Sequence, residues 1–183
     1  MSTRDDWLDE GLAVLAESGE PGVRTDRIAA RLGLTKGSFH HHFAGAADYR
    51  RALLARHERR VLDALAGVSA TAAGLEAAEA PALLRDEAAA LLDQPLEAAV
   101  RAWAAHDVDA RETQARIDAA RLEALTAVWV RITGDERSAR SAALLPHLVV
   151  IGATAAVPPV GRDDLAGLFD LLAALARHVP ARE

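Results

Sequence analysis

Cysteine is absent from this chain of 183 residues. Without thiols the protein has no disulfide framework, no thiolate metal site and no cysteine nucleophile. It also lacks a glycine-rich phosphate loop, a nucleophile elbow and a metal-binding helix motif. The run from His40 to His42 is not a chelating pattern, because adjacent helical residues point about 100° apart and one helix binds metal through i, i+4 pairs. We expect no enzymatic activity, catalytic residue, metal or cofactor.

Aromatic residues are scarce, at 4% of the chain, whereas apolar residues make up 51%. Long segments rich in alanine, leucine, arginine and glutamate favour helix, and the periodicity predicts an all-α fold of about nine helices. The N-terminal segment is acidic, with Asp5, Asp6, Asp9 and Glu10. It therefore lacks the basic start and apolar run of a secretory signal. We expect a cytoplasmic protein.

No charged residue occurs between Ser141 and Gly161, a stretch about as long as a membrane-spanning helix. The stretch contains three prolines and His147, and its many alanines and glycines make it less apolar than a leucine-rich span. We predict a buried helix that ends near Val157, and no membrane partner.

Residues 25–43, TDRIAARLGLTKGSFHHHF, predict two short helices joined by a tight turn. Thr25 can cap the first helix, which runs through Leu32, and Thr35 can cap the second. Gly33 lies between them, where a left-handed cap favours a residue without Cβ. A second helix with one apolar and one polar face is typical of recognition helices in the DNA major groove. Its inward residues are Phe39, His42 and Phe43, and its outward residues are Lys36, Gly37, Ser38, His40 and His41.

The segment LTKGSFHHHF at residues 34–43 resembles the recognition helix of the TetR family of transcriptional repressors. The resemblance extends to the Gly19 to Gly22 turn and to an apolar stripe on the first helix, formed by Trp7, Leu8, Gly11, Leu12, Val14 and Leu15. It implies a three-helix helix-turn-helix head at residues 1–45, a connecting helix at 46–66, and a larger helical ligand-binding and dimerisation domain at 67–183.

The resemblance implies a ligand-responsive repressor that binds a pseudo-palindromic operator as a homodimer, with recognition helices about 34–36 Å apart. An unidentified small molecule would be its effector. The chain departs from the family pattern at Ala46, where the family has a phosphate-contacting lysine, and at His40, where it has tyrosine. Arg50 and Arg51 lie one turn beyond Ala46 and could replace the lysine. The alternative is a ligand sensor or protein-interaction module of the same fold with weakened or lost DNA binding.

Charge is divided unevenly along the sequence. Residues 24–60 contain nine basic and three acidic residues, a charge of +6, so the rest carries −12 because the whole chain carries −6. A basic head would attract the DNA backbone at one end of the protein. The predicted DNA-binding residues are Arg24, Thr25, Arg27, Thr35, Lys36, Gly37, Ser38, His40, His41 and Arg50.

The remaining chain predicts further helices, beginning at Pro81 and Pro95, where first-turn prolines are tolerated. Asp109 with Glu112 is a candidate capping pair for a helix that reaches Thr133. The last two helices, at about 135–157 and 163–178, have apolar faces suited to the two-fold interface that the resemblance implies. Polar or aromatic residues on apolar helices are candidate effector contacts, although each could equally be a core or surface residue. They are Trp103, His106, Arg121, Trp129 and His147.

Overall fold

The computed structural model describes residues 3–74, 76, 79–80, 82–83, 95–158 and 160–176. These residues form eight α-helices and a 3-10 turn at Glu20–Gly22, with no strand among them, so the predicted all-α class is confirmed. Of the helix predicted at 81–92, only residues 82 and 83 are described, and the rest lies outside these ranges. The helices are α1 Arg4–Ser18, α2 Thr25–Arg31, α3 Lys36–Phe39, α4 Ala46–Gly74, α5 Pro95–Ala104, α6 Val108–Thr133, α7 Glu136–Ala155 and α8 Arg162–Ala176.

The contacts group the described residues into two compact units. The first contains the residues up to Val61 together with α5 and the chain as far as Ile117, and the second contains the remainder. Both α4 and α6 therefore begin in the first unit and end in the second. The first unit is larger than the predicted head at residues 1–45, because it also contains α5, which packs along α1.

An aromatic cluster forms the centre of the first unit. Trp7 and Leu15 of α1 are fully buried, as are Ile28 of α2 and Leu53 of α4. Phe39 meets the ring of Trp7 edge-on, with 5.4 Å between ring centroids. The whole apolar stripe predicted on α1 is buried. Burial of this stripe holds the three short N-terminal helices on the longer α4.

Several helix boundaries differ from the sequence prediction. Arg24, not Thr25, occupies the cap position of α2, and no side chain caps that helix. The carboxylate of Asp107 accepts the amide of Ala110 at 2.9 Å, so it caps α6, and Asp109 does not. This happens because the helix starts two residues earlier than a cap at Asp109 predicts, at Val108. The connecting helix α4 continues through Gly67 to Gly74, because its alanine-rich second half contains no proline and alanine favours helix.

The second unit is built from small satellite cores. Trp129 of α6 packs on Ala139 and Ala143 of α7, and Val150 of α7 packs with Phe169 of α8. Asp135 caps α7, its carboxylate accepting the amide of Ser138 at 2.7 Å. α7 ends at Ala155, two residues before the predicted end. No helix in the described part of the chain is long and apolar enough to cross a membrane.

Candidate nucleic-acid interface

The helix α3 is a single turn, and it presents one polar and one buried side. It ends at Phe39, so the predicted helix through Phe43 is too long; residues 40–42 form turns instead. The amide of Phe43 still donates to the carbonyl of Phe39 at 3.0 Å, which keeps both rings facing the core. Lys36, Gly37, His40 and His41 are exposed as predicted, whereas Ser38 and His42 are half-buried.

The turn before α3 has the predicted geometry. Gly33 has φ of 67°, in the left-handed region that favours glycine. The amide of Leu34 then donates to the carbonyl of Ala29 at 2.8 Å, and the Leu34 side chain packs against the core. Thr35 occupies the cap position of α3, but its side chain makes no capping hydrogen bond and remains exposed.

The start of α2 carries an exposed ion pair. Arg24 donates from Nε and Nη2 to the two carboxylate oxygens of Asp26, at 3.2 and 2.9 Å. These bonds lower the pKa of Asp26 and raise the pKa of Arg24. Thr25 is half-buried, and the exposed Arg27 lies 4.0 Å from Glu17. Both arginines predicted to contact DNA here thus have a carboxylate nearby.

The acidic residues of α1 pair with most of the remaining arginines. Arg31 forms ion pairs with Glu10 and Glu17, and its bonds to Glu17 lower the pKa of that carboxyl. On α4, Arg56 and Arg60 both donate to Asp9, at 2.8 and 2.6 Å. The charge count along the sequence assumed that the basic residues at 24–60 are unpaired. The fold instead brings several of them against the acidic residues of α1, in the same unit. Among the described residues, the cations of residues 24–60 that have no ion-pair partner are Lys36, Arg51 and Arg59.

Arg50, the candidate replacement for the family's phosphate-binding lysine, is also paired. Its Nη2 lies 2.6 Å from Oε1 of Glu20, in the turn before α2. The Glu20 side chain is 16% exposed and that of Arg50 is 46% exposed. Ala46 and Arg51 are exposed beside this pair at the start of α4.

A buried polar network joins α4, α5 and α6 within the first unit, and sequence reasoning missed it. Glu97 is 1% exposed and accepts hydrogen bonds from Arg101 at 2.8 Å and Gln114 at 3.1 Å. Its second oxygen faces Nε2 of the buried His57 at 3.8 Å. Helical spacing could have revealed this, because Glu97 shares a face with Val100 and Ala104, which are buried.

The structure separates the five candidate effector residues. Trp103 is buried in the core of the first unit, and His106 is exposed in the turn after α5. Arg121, Trp129 and His147 are buried in the second unit, and Arg121 donates to Asp118 at 3.1 Å. Within the described ranges, no group of histidine and acidic side chains could hold a metal ion.

Comparisons with known proteins find a family model for the N-terminal part of the chain and solved structures that are similar over nearly all of it. Residues 8–48 match the sequence model for bacterial regulatory proteins of the tetR family. A transcriptional regulator from Rhodococcus sp. Rha1 is similar at 20% identity over 97% of both chains, with a TM-score of 0.69. A protein from Mesorhizobium loti described as a TetR-family transcriptional regulator is similar at 18% identity over 96% of this chain and 95% of its own, with a TM-score of 0.71. No curated protein matches the sequence. At such identities the structures establish a shared fold.

Proposed function

We propose that this chain is a dimeric, ligand-responsive repressor of transcription, because residues 8–48 match the model for bacterial regulatory proteins of the tetR family and the described residues share the all-helical fold of similar regulators. One observation carries the proposal: α3 and the turn that follows it expose Lys36, His40 and His41, while Phe39 and Phe43 anchor this segment in the core. Such a helix can enter the major groove without losing its own packing.

The proposed contacts divide by chemistry. Lys36 reaches a phosphate or a guanine edge, and His40 and His41 contact phosphate and base edges. Gly37, exposed on α3, lets the backbone come close to DNA. Arg51 supplies a phosphate contact at the start of α4, because it is exposed and has no ion-pair partner among the described residues. The other proposed contacts are Arg24, Thr25, Arg27, Thr35 and Ser38.

The proposed dimer interface lies on the last two helices. Leu144, Leu145 and Leu148 of α7 are exposed, and Leu148 has 58% of its surface accessible. On α8, Leu168 and Leu171 are exposed at a spacing of three residues, which places them on one face. Leucines this accessible in neighbouring helices favour burial against a second copy.

The proposed effector contacts are the polar groups buried in the second unit. The indole Nε1 of Trp129 is buried and has no hydrogen-bond partner in the described residues. A ligand with an acceptor oxygen would satisfy this donor, since an unpaired buried N–H is costly. Arg121 and His147 are the other buried polar side chains that we assign to effector recognition.

The test of the function is DNA binding. Fluorescence anisotropy of labelled DNA from upstream of the gene, against scrambled DNA and at several salt concentrations, should show selective binding that weakens steeply with salt. Lys36→Ala should weaken selective binding by about 5- to 150-fold, because a base contact contributes about 1–3 kcal/mol and 1.4 kcal/mol is about 10-fold. Arg111→Ala, which removes an exposed cation from α6, outside the proposed DNA contacts and the proposed dimer interface, is the matched control and should bind like the wild type.

The alternative function is that of a ligand sensor with the same fold and weakened DNA binding. It is favoured by Ala46, which lacks a charge, and by the pairing of Arg50 with Glu20. Equal, weak binding to both duplexes, followed by a random-sequence selection that enriches no site, would support the sensor and contradict the repressor.

A further inference from the structure

We propose that Glu20 is an internal competitor for the DNA backbone: it holds Arg50 in an ion pair and thereby limits the affinity of the head for DNA. The proposal rests on the DNA-binding function proposed above. Its physical basis is that a carboxylate and a phosphate seek the same guanidinium donors.

The pair has the geometry of a tertiary contact rather than a chance surface pair. Nη2 of Arg50 lies 2.6 Å from Oε1 of Glu20, although 30 residues separate them in the sequence. The Glu20 backbone is fixed by the 3-10 turn, in which the amide of Val23 donates to the Glu20 carbonyl at 2.9 Å. With its side chain only 16% exposed, Glu20 has little freedom to release the arginine.

Arg50 lies where a phosphate contact is expected. It follows Ala46 by four residues on α4, so both side chains leave the helix on the same face, one turn apart. Glu20 lies four residues before Arg24, in the segment that leads into α2. The pair thus joins two segments that carry predicted backbone contacts.

The pattern continues at neighbouring cations. Asp26 binds Arg24 with both oxygens, and Glu17 lies near Arg27. Lys36 and Arg51 have no such partner within the described residues. Glu20 differs from Asp26 and Glu17 in being mostly buried, so it is the competitor least screened by solvent.

The test is Glu20→Gln, whose affinity is measured by fluorescence anisotropy for both the upstream duplex and the scrambled duplex. Freeing Arg50 should raise the affinity for both by about 3- to 10-fold, because phosphate contacts do not depend on sequence. The plot of log affinity against log salt should steepen by about 0.9 for each added contact. Arg50→Ala in the Glu20→Gln background should remove the gain.

The matched control is Glu58→Gln. It makes the same change of charge and frees Arg116, whose Nη2 lies 2.9 Å from Glu58, two turns beyond Arg50 on α4. Its affinity for DNA should stay within about 2-fold of the wild type, since no backbone contact is expected there. An equal gain in both variants would reduce the effect to net charge and overturn the proposal.

The remaining outcomes also decide the question. Unchanged affinity in Glu20→Gln would overturn the proposal and leave DNA binding intact, and reduced affinity would show that Glu20 orients Arg50 toward phosphate. If Glu20→Gln does not fold by circular dichroism, Glu20→Ala replaces it, because it also removes the carboxylate that holds Arg50. We expect the same gain in affinity from it, and an unchanged affinity would overturn the proposal. Failure of the repressor function appears separately, as the absence of any preference between duplexes.

Discussion

The hydroxyl of Tyr49 donates a hydrogen bond of 2.6 Å to the backbone carbonyl of Trp7, which ties α4 to α1 inside the core of the first unit. Phe39 and Phe43 lie against the same tyrosine ring, at 5.4 and 4.7 Å between centroids. Tyr49 therefore links the helix that is proposed to read DNA to the helix that leaves the head. Its position depends on a close approach of α1 and α4 at Gly11.

Gly11→Ala should destabilise the protein. An added Cβ would lie 2.0 Å from the Tyr49 hydroxyl and 2.8 Å from a methyl group of Leu53. Overpacking of this kind costs about 1–3 kcal/mol, more than the helix propensity that alanine adds. Gly67→Ala, on the exposed side of α4 with nothing within 4 Å, should instead stabilise by up to about 1 kcal/mol. Urea unfolding measures both changes, and equal effects would contradict this packing argument.

Alkaline pH should destabilise the protein through Tyr49. Burial raises the pKa of Tyr49 above its ordinary value of about 10. The unfolded chain therefore loses this proton first, so the contribution is complete below about pH 10 and declines as the pH rises further. Tyr49→Phe should lose about 1 kcal/mol at neutral pH and show a weaker alkaline decline.

This titration can be followed directly, because Tyr49 is the only tyrosine in the sequence. Tyrosinate absorbance should develop at higher pH in the native protein than in urea. Coincident curves would show that the buried hydroxyl does not favour the neutral form.

Glu97→Ala should cost about 2–4 kcal/mol of unfolding free energy, because it removes the acceptor for Arg101 and Gln114 from a buried site. Glu97→Gln retains the shape and one acceptor oxygen, so it should lose less. Chemical denaturation of both variants makes the comparison. If the alanine variant were as stable as the wild type, the network would have no structural role.

Leu148→Glu should shift the protein from dimer to monomer. A charge at a residue that is 58% exposed in one chain is harmless there, but it would be desolvated between two copies. Leu62→Glu changes a leucine that is 38% exposed on α4, outside the proposed interface, and should remain dimeric. Sedimentation velocity at several concentrations distinguishes the species. A wild-type monomer would refute the proposed interface.

Local rules were enough to predict the turn that leads into the recognition segment. Gly33 needs a left-handed φ whatever surrounds it, and the spacing of Phe39 and Phe43 determines which side is buried. Sequence reasoning did not predict the end of α3 correctly, because so short a helix depends on tertiary packing, here of Phe39 at its end and of Phe43 after the following turn.

The sequence by itself determined the all-helical class, the apolar stripe on α1 and the turn before the segment that is proposed to read DNA, since periodicity and turn chemistry act over a few residues. Only the tertiary structure decided which charges meet. Arg50 and Glu20, Arg56 and Asp9, and His57 and Glu97 are each brought together by the crossing of helices far apart in the chain. Whether two charged side chains attract each other depends on the distance between them in space, and a count of charges along the sequence does not give that distance.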